Sequence, residues 1–165
     1  MKRLVLLFIC IHFIAGVHAQ TTTTPQPYFT VEGEVVRPLK WTKDDLLKLK
    51  PAEAKVKDRE GKEHTYKGVR LADVLDSAGV TLGGNLRGEN LTKYLLVQAA
   101  DGYEVIFSLP EIDPEFTNQI IVLAYEVDGA SLRKVEGPFR LVVPHDKKQA
   151  RWVREIRSIK VLFSK

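Results

Sequence analysis

The chain has one cysteine, Cys10, and it lies in the segment least able to belong to the folded protein. Lys2 and Arg3 precede an apolar run from Leu4 to Ile14. Ala15-Gly16-Val17-His18-Ala19 follows, with Val17 and Ala19 at the positions a signal peptidase reads. That is the layout of a secretory signal, so residues 1–19 are expected to be removed and the protein to be secreted or periplasmic. Bulky Ile9 before Cys10 does not fit a lipid-attachment site. A mature chain without cysteine has no disulfide, no thiolate metal site and no cysteine nucleophile. An apolar core alone must hold it together. Of 165 residues, the 146 from Gln20 onward suffice for one sizeable core and are too few for two generous domains.

Charge and hydropathy remove two classes of partner. Taking Lys2 and Arg3 from 25 basic residues leaves 23 against 21 acidic ones, so the mature chain is nearly balanced. No nucleic-acid partner is expected, because counterion release needs a dense basic face. The apolar run at the start is shorter than the roughly 20 residues that cross a bilayer, and no second run approaches that length. No membrane span is therefore expected in the mature chain.

Residues 20–27 are rich in Thr, Pro and Gln and read as a flexible leader, which leaves 28–165 for the folded domain. Partial alternation predicts a strand from Phe29 to Val36, closed by Pro38. Thr42 can cap a short helix with Asp44 and Asp45 in its first turn, Lys48 and Lys50 near its end, and Leu46, Leu47 and Leu49 as its core face. Pro51 stops it. Ala54–Asp58 and His64–Tyr66 flank Glu60-Gly61 as a hairpin. Leu71, Val74, Leu75 and Ala78 form one helical stripe, capped by Gly79. Thr81 to Asn90 reads as a loop. Tyr94–Ala100 and Tyr103–Leu109 form a hairpin around Asp101-Gly102. Further strands are predicted at Ile120–Val127, Phe139–Val143 and Ile156–Phe163, with a short helix over Lys147–Val153. Several strands, a few short helices and no regular βαβ alternation give an α+β domain, mixed and mostly β.

The segments also follow a familiar order. Gly33-Glu34-Val35-Val36-Arg37-Pro38 precedes a T-x-x-D-L segment, Thr42 to Leu46. Tyr66-Lys67-Gly68-Val69-Arg70-Leu71-Ala72-Asp73-Val74-Leu75 gives an aromatic-x-G-V-x-L-x-D-x-L helix opening. Asp128-Gly129-Ala130-Ser131-Leu132 leads to Gly137-Pro138-Phe139-Arg140-Leu141-Val142-Val143-Pro144, and the chain closes with Arg151-Trp152-Val153-Arg154 and Ile159-Lys160-Val161. Together, from about Phe29 to Leu162, these resemble the oxidoreductase molybdopterin-binding domain of the sulfite oxidase family. The resemblance implies that fold, and in the redox members a cysteine thiolate on molybdenum upstream of the aromatic-x-Gly segment. Here the matching stretch, Lys55-Val56-Lys57-Asp58-Arg59-Glu60, has no cysteine. Lysine is protonated at neutral pH and replaces no thiolate; Asp58 is a hard oxygen donor and would make a different site.

The resemblance also implies a pterin and phosphate site partly in the segment after the Gly-Pro strand. His145, Lys147, Arg151 and Arg154 are its candidates there, with Arg140 on the strand, and a helix N-terminus near Lys147 would add backbone N–H groups. The plainer alternative leaves the lysines solvated, Arg151 and Arg154 on an exposed helix face, Trp152 and Val153 packed, and Arg140 facing water and Glu136. His64 and His145 fit ordinary hairpin and loop histidines. Glu111, Asp113 and Glu115 fit either a hard-cation site or a solvated turn. Asn90-Leu91-Thr92 is a formal glycosylation sequon. No nucleophile elbow, P-loop or dinucleotide fingerprint is present. Two functions follow. One is an exported binding or accessory module for an anionic small molecule, a pterin or a partner protein, with molybdopterin as the implied cofactor and molybdenum in doubt. The other is a molybdopterin-dependent redox enzyme with a non-cysteine metal site.

Overall fold

The computed structural model describes residues 26–58 and 60–164. The expected signal at 1–19, Cys10 within it and the leader as far as Pro25 lie outside the described residues. Among the described residues ten strands form two five-stranded sheets. The first contains β1 (Tyr28–Gly33), β2 (Leu39–Thr42), β5 (Lys93–Ala99), β6 (Glu104–Ser108) and β10 (Ile156–Phe163), in the order β2-β1-β10-β5-β6. Its β1–β10 pair is parallel and the other pairs are antiparallel. The second contains β3 (Pro51–Lys57), β4 (Glu63–Arg70), β7 (Val122–Val127), β8 (Ala130–Ser131) and β9 (Arg140–Val142). Here β3-β4-β7-β8 run in order, all antiparallel, and β9 also pairs with β7. This is the α+β, mixed and mostly antiparallel arrangement that the sequence predicts.

One apolar cluster joins the sheets. Phe29, Val31, Leu95, Val97, Ile159 and Val161 of the first meet residues such as Val69, Leu123 and Leu141 of the second. Phe29 packs edge-on against Phe139, with ring centroids 5.0 Å apart. The stripe predicted for the second helix is the buried face of α2 (Leu71–Ser77), and Leu71, Val74, Leu75 and Ala78 are each 0% exposed. The first helix, α1 (Lys43–Leu46), starts at the expected cap: Asp45 N–H donates to Thr42 Oγ1 and Thr42 N–H to an Asp45 carboxylate oxygen. It lasts about one turn, so Leu46 is buried while Leu47 is 55% exposed, contrary to its expected core role.

Three boundaries differ from expectation. The helix ends at Leu46, before Pro51 can stop it, and Pro51 instead begins β3 on an edge strand, where proline is tolerated. Residues 39–42 form β2 before the helix, which their length hid. Lys147–Val153 is not a helix: Gln149–Arg151 makes a single 3-10 turn, so no helix N-terminus is present near Lys147. Gly68 explains the aromatic-x-Gly-Val segment. It sits at a bulge in the β4–β7 pairing, where a Cβ would lie 2.0 Å from the Leu123 carbonyl oxygen.

Candidate functional site

A cleft of about 1020 Å³ opens where β3 faces the chain that follows β9. Its one wall is Lys55 to Asp58; the other comes from Glu136, Arg140 and the stretch from Pro144 to Arg154. Strand alternation builds the first wall. Ala54 is buried in the core, whereas Lys55 and Lys57 are exposed on an edge strand. The structure therefore joins the stretch where the family resemblance implies a thiolate to the basic segment 90 residues further on. Arg140, Lys147 and Arg154 line this cleft, together with Lys55, Lys57 and Lys148, which sequence reasoning had not singled out as ligand groups. Only their alternation on a hairpin strand could have marked Lys55 and Lys57.

Arg140, Glu136 and Trp152 are the buried residues of the lining. Arg140 is 7% exposed, so its alternative placement facing water does not hold. All of β9 is buried, which leaves the strand without a solvent side for alternation to use. One guanidinium nitrogen, Nη1, donates both to Glu136 and to the Tyr66 hydroxyl, the latter at 3.1 Å. The group's central carbon lies 5.2 Å from the Tyr66 ring centre and 5.5 Å from that of Trp152. Its Nε is buried with no hydrogen-bond partner among the described residues. A buried donor left unsatisfied is costly, on the order of 1–3 kcal/mol. Arg133 hydrogen-bonds Glu136 and, against the upward pull of burial, holds its carboxyl below the usual range; Arg140 adds to this. Burial pushes the Tyr66 hydroxyl up.

The other candidates separate. Lys147, Lys148 and Arg154 are exposed. With Lys55 and Lys57 they form no ion pair among the described residues. His145 is exposed and does not line the cleft. Arg151 also lies outside its lining. Arg151 Nε and Nη2 donate to Asp146 at 2.9 and 2.7 Å, Nη1 donates to Glu111 at 2.7 Å, and the group sits 4.7 Å from the Phe107 ring centre. Trp152 is buried, with its indole N–H on the Val143 carbonyl at 3.0 Å and its ring edge-on to Tyr66.

The donor set fits the organic part of the implied cofactor and not its metal. The lysines and arginines of the lining suit a phosphate or other oxyanion. No sulfur donor lies in the cleft, and Asp58 is already engaged: Oδ1 accepts the Glu60 and Lys62 N–H groups at 2.9 Å, and Oδ2 faces His64. Nor do Glu111, Asp113 and Glu115 form a cation site. Glu111 accepts from Ser108 and Arg151, and fully buried Asp113 accepts from the Gly83 and Glu115 N–H groups. Among the described residues no three His, Cys, Asp or Glu side chains are placed to hold a metal ion.

Comparison with known proteins agrees with the architecture. The crystal structure of the sulfane dehydrogenase SoxCD from Paracoccus pantotrophus superposes with a TM-score of 0.64 at 22% sequence identity, over 81% of this chain and 37% of that one. The chain thus spans little more than a third of that relative, and the likeness is one of fold. A search of curated proteins gives no match. The sequence pattern of the oxidoreductase molybdopterin binding domain matches residues 18–164, and the chain belongs to that family.

Proposed function

We propose that the protein is an exported binding or accessory module that takes an anionic small molecule in the cleft between β3 and the segment after β9. One cleft that gathers Lys55, Lys57, Lys147, Lys148 and Arg154, none of them in an ion pair among the described residues, around the buried Arg140 carries this reading. Arg140 would orient the anion, and Lys147 and Arg154 would neutralise it from the rim. A pterin phosphate is one such anion. Molybdenum bound through pterin would supply oxygen-atom or electron transfer, but no cysteine lines this cleft to hold it.

Purification from the native host tests the reading. The expected result is mature protein starting near Gln20, sub-stoichiometric molybdenum, and saturable binding of sulfate that weakens on raising ionic strength. Stoichiometric molybdenum with pterin fluorescence after acid release would overturn the accessory role in favour of a redox enzyme. Failure to bind any oxyanion would overturn the cleft assignment.

A further inference from the structure

His64 stands in a hollow that adjoins the cleft, in a position that sequence reasoning took for an ordinary hairpin histidine. It lies on β4, opposite Val56 of β3. Its Nδ1 is 2.6 Å from the Asp128 carboxylate and its Nε2 is 3.3 Å from that of Asp58. These acids sit in different turns. Asp58 opens the β3–β4 turn, and Asp128 makes the two-residue β7–β8 turn with Gly129. Asp128 also fixes β4 by accepting the Thr65 N–H at 2.9 Å. The imidazole therefore ties two hairpin tips together. One of them, through Asp58, is a wall of the cleft. A hollow of about 520 Å³ that contains His64 shares Val56, Asp58, Glu136, Arg140 and Gln149 with the cleft.

We infer that anion binding in this cleft is coupled to a proton on His64, which clamps the Asp58 turn to the Asp128 turn. The inference rests on the anion reading of the cleft and adds its regulation. An imidazolium has two N–H donors and satisfies both carboxylates; a neutral ring has one, so its other nitrogen turns a lone pair toward a carboxylate. Losing the proton gives up one tie, the longer contact to Asp58. It loosens that wall and removes a positive charge beside the anion. Both effects weaken anion binding as pH rises. The other groups facing His64 are Lys62 and Glu60 of its own turn, Tyr66 on β4, and Arg133, Glu136 and Arg140 across the hollow. Lys62 opposes the proton. The Asp128 hydrogen bond, against partial desolvation and with help from Asp58, nevertheless raises the His64 pKa above its ordinary 6.5. The clamp is therefore complete below about pH 6.5 and lost as pH rises through the raised value. By linkage, a bound anion raises that value further.

Sulfate is the probe, because its charge is constant over this range. Calorimetric titration of the whole mature chain should show affinity falling about fivefold or more, the lower end of typical coupling between sites, from pH 5.5 to 8.5. His64→Gln and Asp128→Asn should flatten that profile. Sulfate should also move the His64 ring titration, followed by NMR, to higher pH. Parallel profiles in wild type and His64→Gln would overturn the coupling. If sulfate binds none of the proteins, the anion reading falls, and the clamp is judged separately. Protection of the Glu60 and Lys62 amides, which donate to Asp58, should then drop across the His64 titration in wild type and not in His64→Gln. Unchanged protection would overturn the clamp itself.

Discussion

Arg140 and Arg151 stand eleven positions apart in one basic, apolar-flanked stretch, yet the fold uses them in opposite ways. Arg151 spends Nε, Nη1 and Nη2 on two carboxylates, with its side chain 33% exposed. Arg140 is nearly enclosed and spends only Nη1, on one carboxylate and a phenol, while Nε has no partner. The second arrangement costs more in a low-dielectric site and is the less self-sufficient. A guanidinium with all three nitrogens on carboxylates braces the structure. One with a buried nitrogen left over is the less complete of the two. Donor accounting, not charge, separates them.

Trp152 packs on Arg140 in the structure and adjoins Arg151 in sequence. Its ring packs against Tyr66 and Arg140, and its N–H is satisfied by Val143. Trp152→Ala should cost roughly 3–5 kcal/mol in urea unfolding. A near-neutral result would place the ring outside the core and undo the account of how Arg140 is held. Arg140→Met follows at about 3 kcal/mol, since it leaves Glu136 buried beside an exposed Arg133 as its remaining partner. Adding Glu136→Gln should recover part of that loss. If Arg140→Met costs nothing, the arginine is not the anchor of the cleft floor.

This contrast marks where the sequence stops informing. Local patterns were legible: the stripe on α2, the hairpin at Asp101-Gly102, the Thr42 cap, and β10 with both its ends. Each depends on residues within a few positions. The family order was legible because it strings such local patterns together. What decides the site acts over longer range. Glu111 reaches Arg151 from 40 positions away, and Asp128 reaches His64 from 64. Glu136 is near Arg140 in sequence, and their contact was foreseen, but not its burial. A strand of three residues buried on both faces carries no alternation that would announce an inward arginine. The basic run after Pro144 was visible; which of its cations were already paired was not.

Arg151→Ala tests the other half of the contrast. Its bonds are charge-assisted but partly solvated, so the expected loss is about 1–2 kcal/mol, with sulfate affinity unchanged. The loss should depend on acid. Burial works to raise the Glu111 pKa, but the Arg151 hydrogen bond and the Ser108 N–H outweigh it and hold the carboxyl below its ordinary 4.5. A depressed carboxylate stabilises the fold above its unfolded value and loses that contribution as pH falls through the folded one. The gap between wild type and Arg151→Ala should therefore narrow as pH falls below 4.5 through the lowered Glu111 value. A gap that does not narrow would assign the arginine's contribution to Asp146 and to its packing on Phe107 rather than to Glu111.

The smallest structural effect should carry the largest functional meaning. Lys147 and Arg154 are exposed and in no ion pair among the described residues. The Lys147→Ala/Arg154→Ala double variant should change stability by no more than about 0.5 kcal/mol. Each cation lies on the rim of a half-open cleft, where water screens it, so each should contribute under about 1 kcal/mol to holding an anion. Sulfate affinity should therefore fall roughly three- to tenfold at low salt, and the gap from wild type should close as salt is added. A gap that survives high salt would mean that these side chains touch the anion directly and out of water, which would move the binding site outward from Arg140 to the rim. No gap at any salt would leave Arg140, Lys55, Lys57 and Lys148 as the cations of the site.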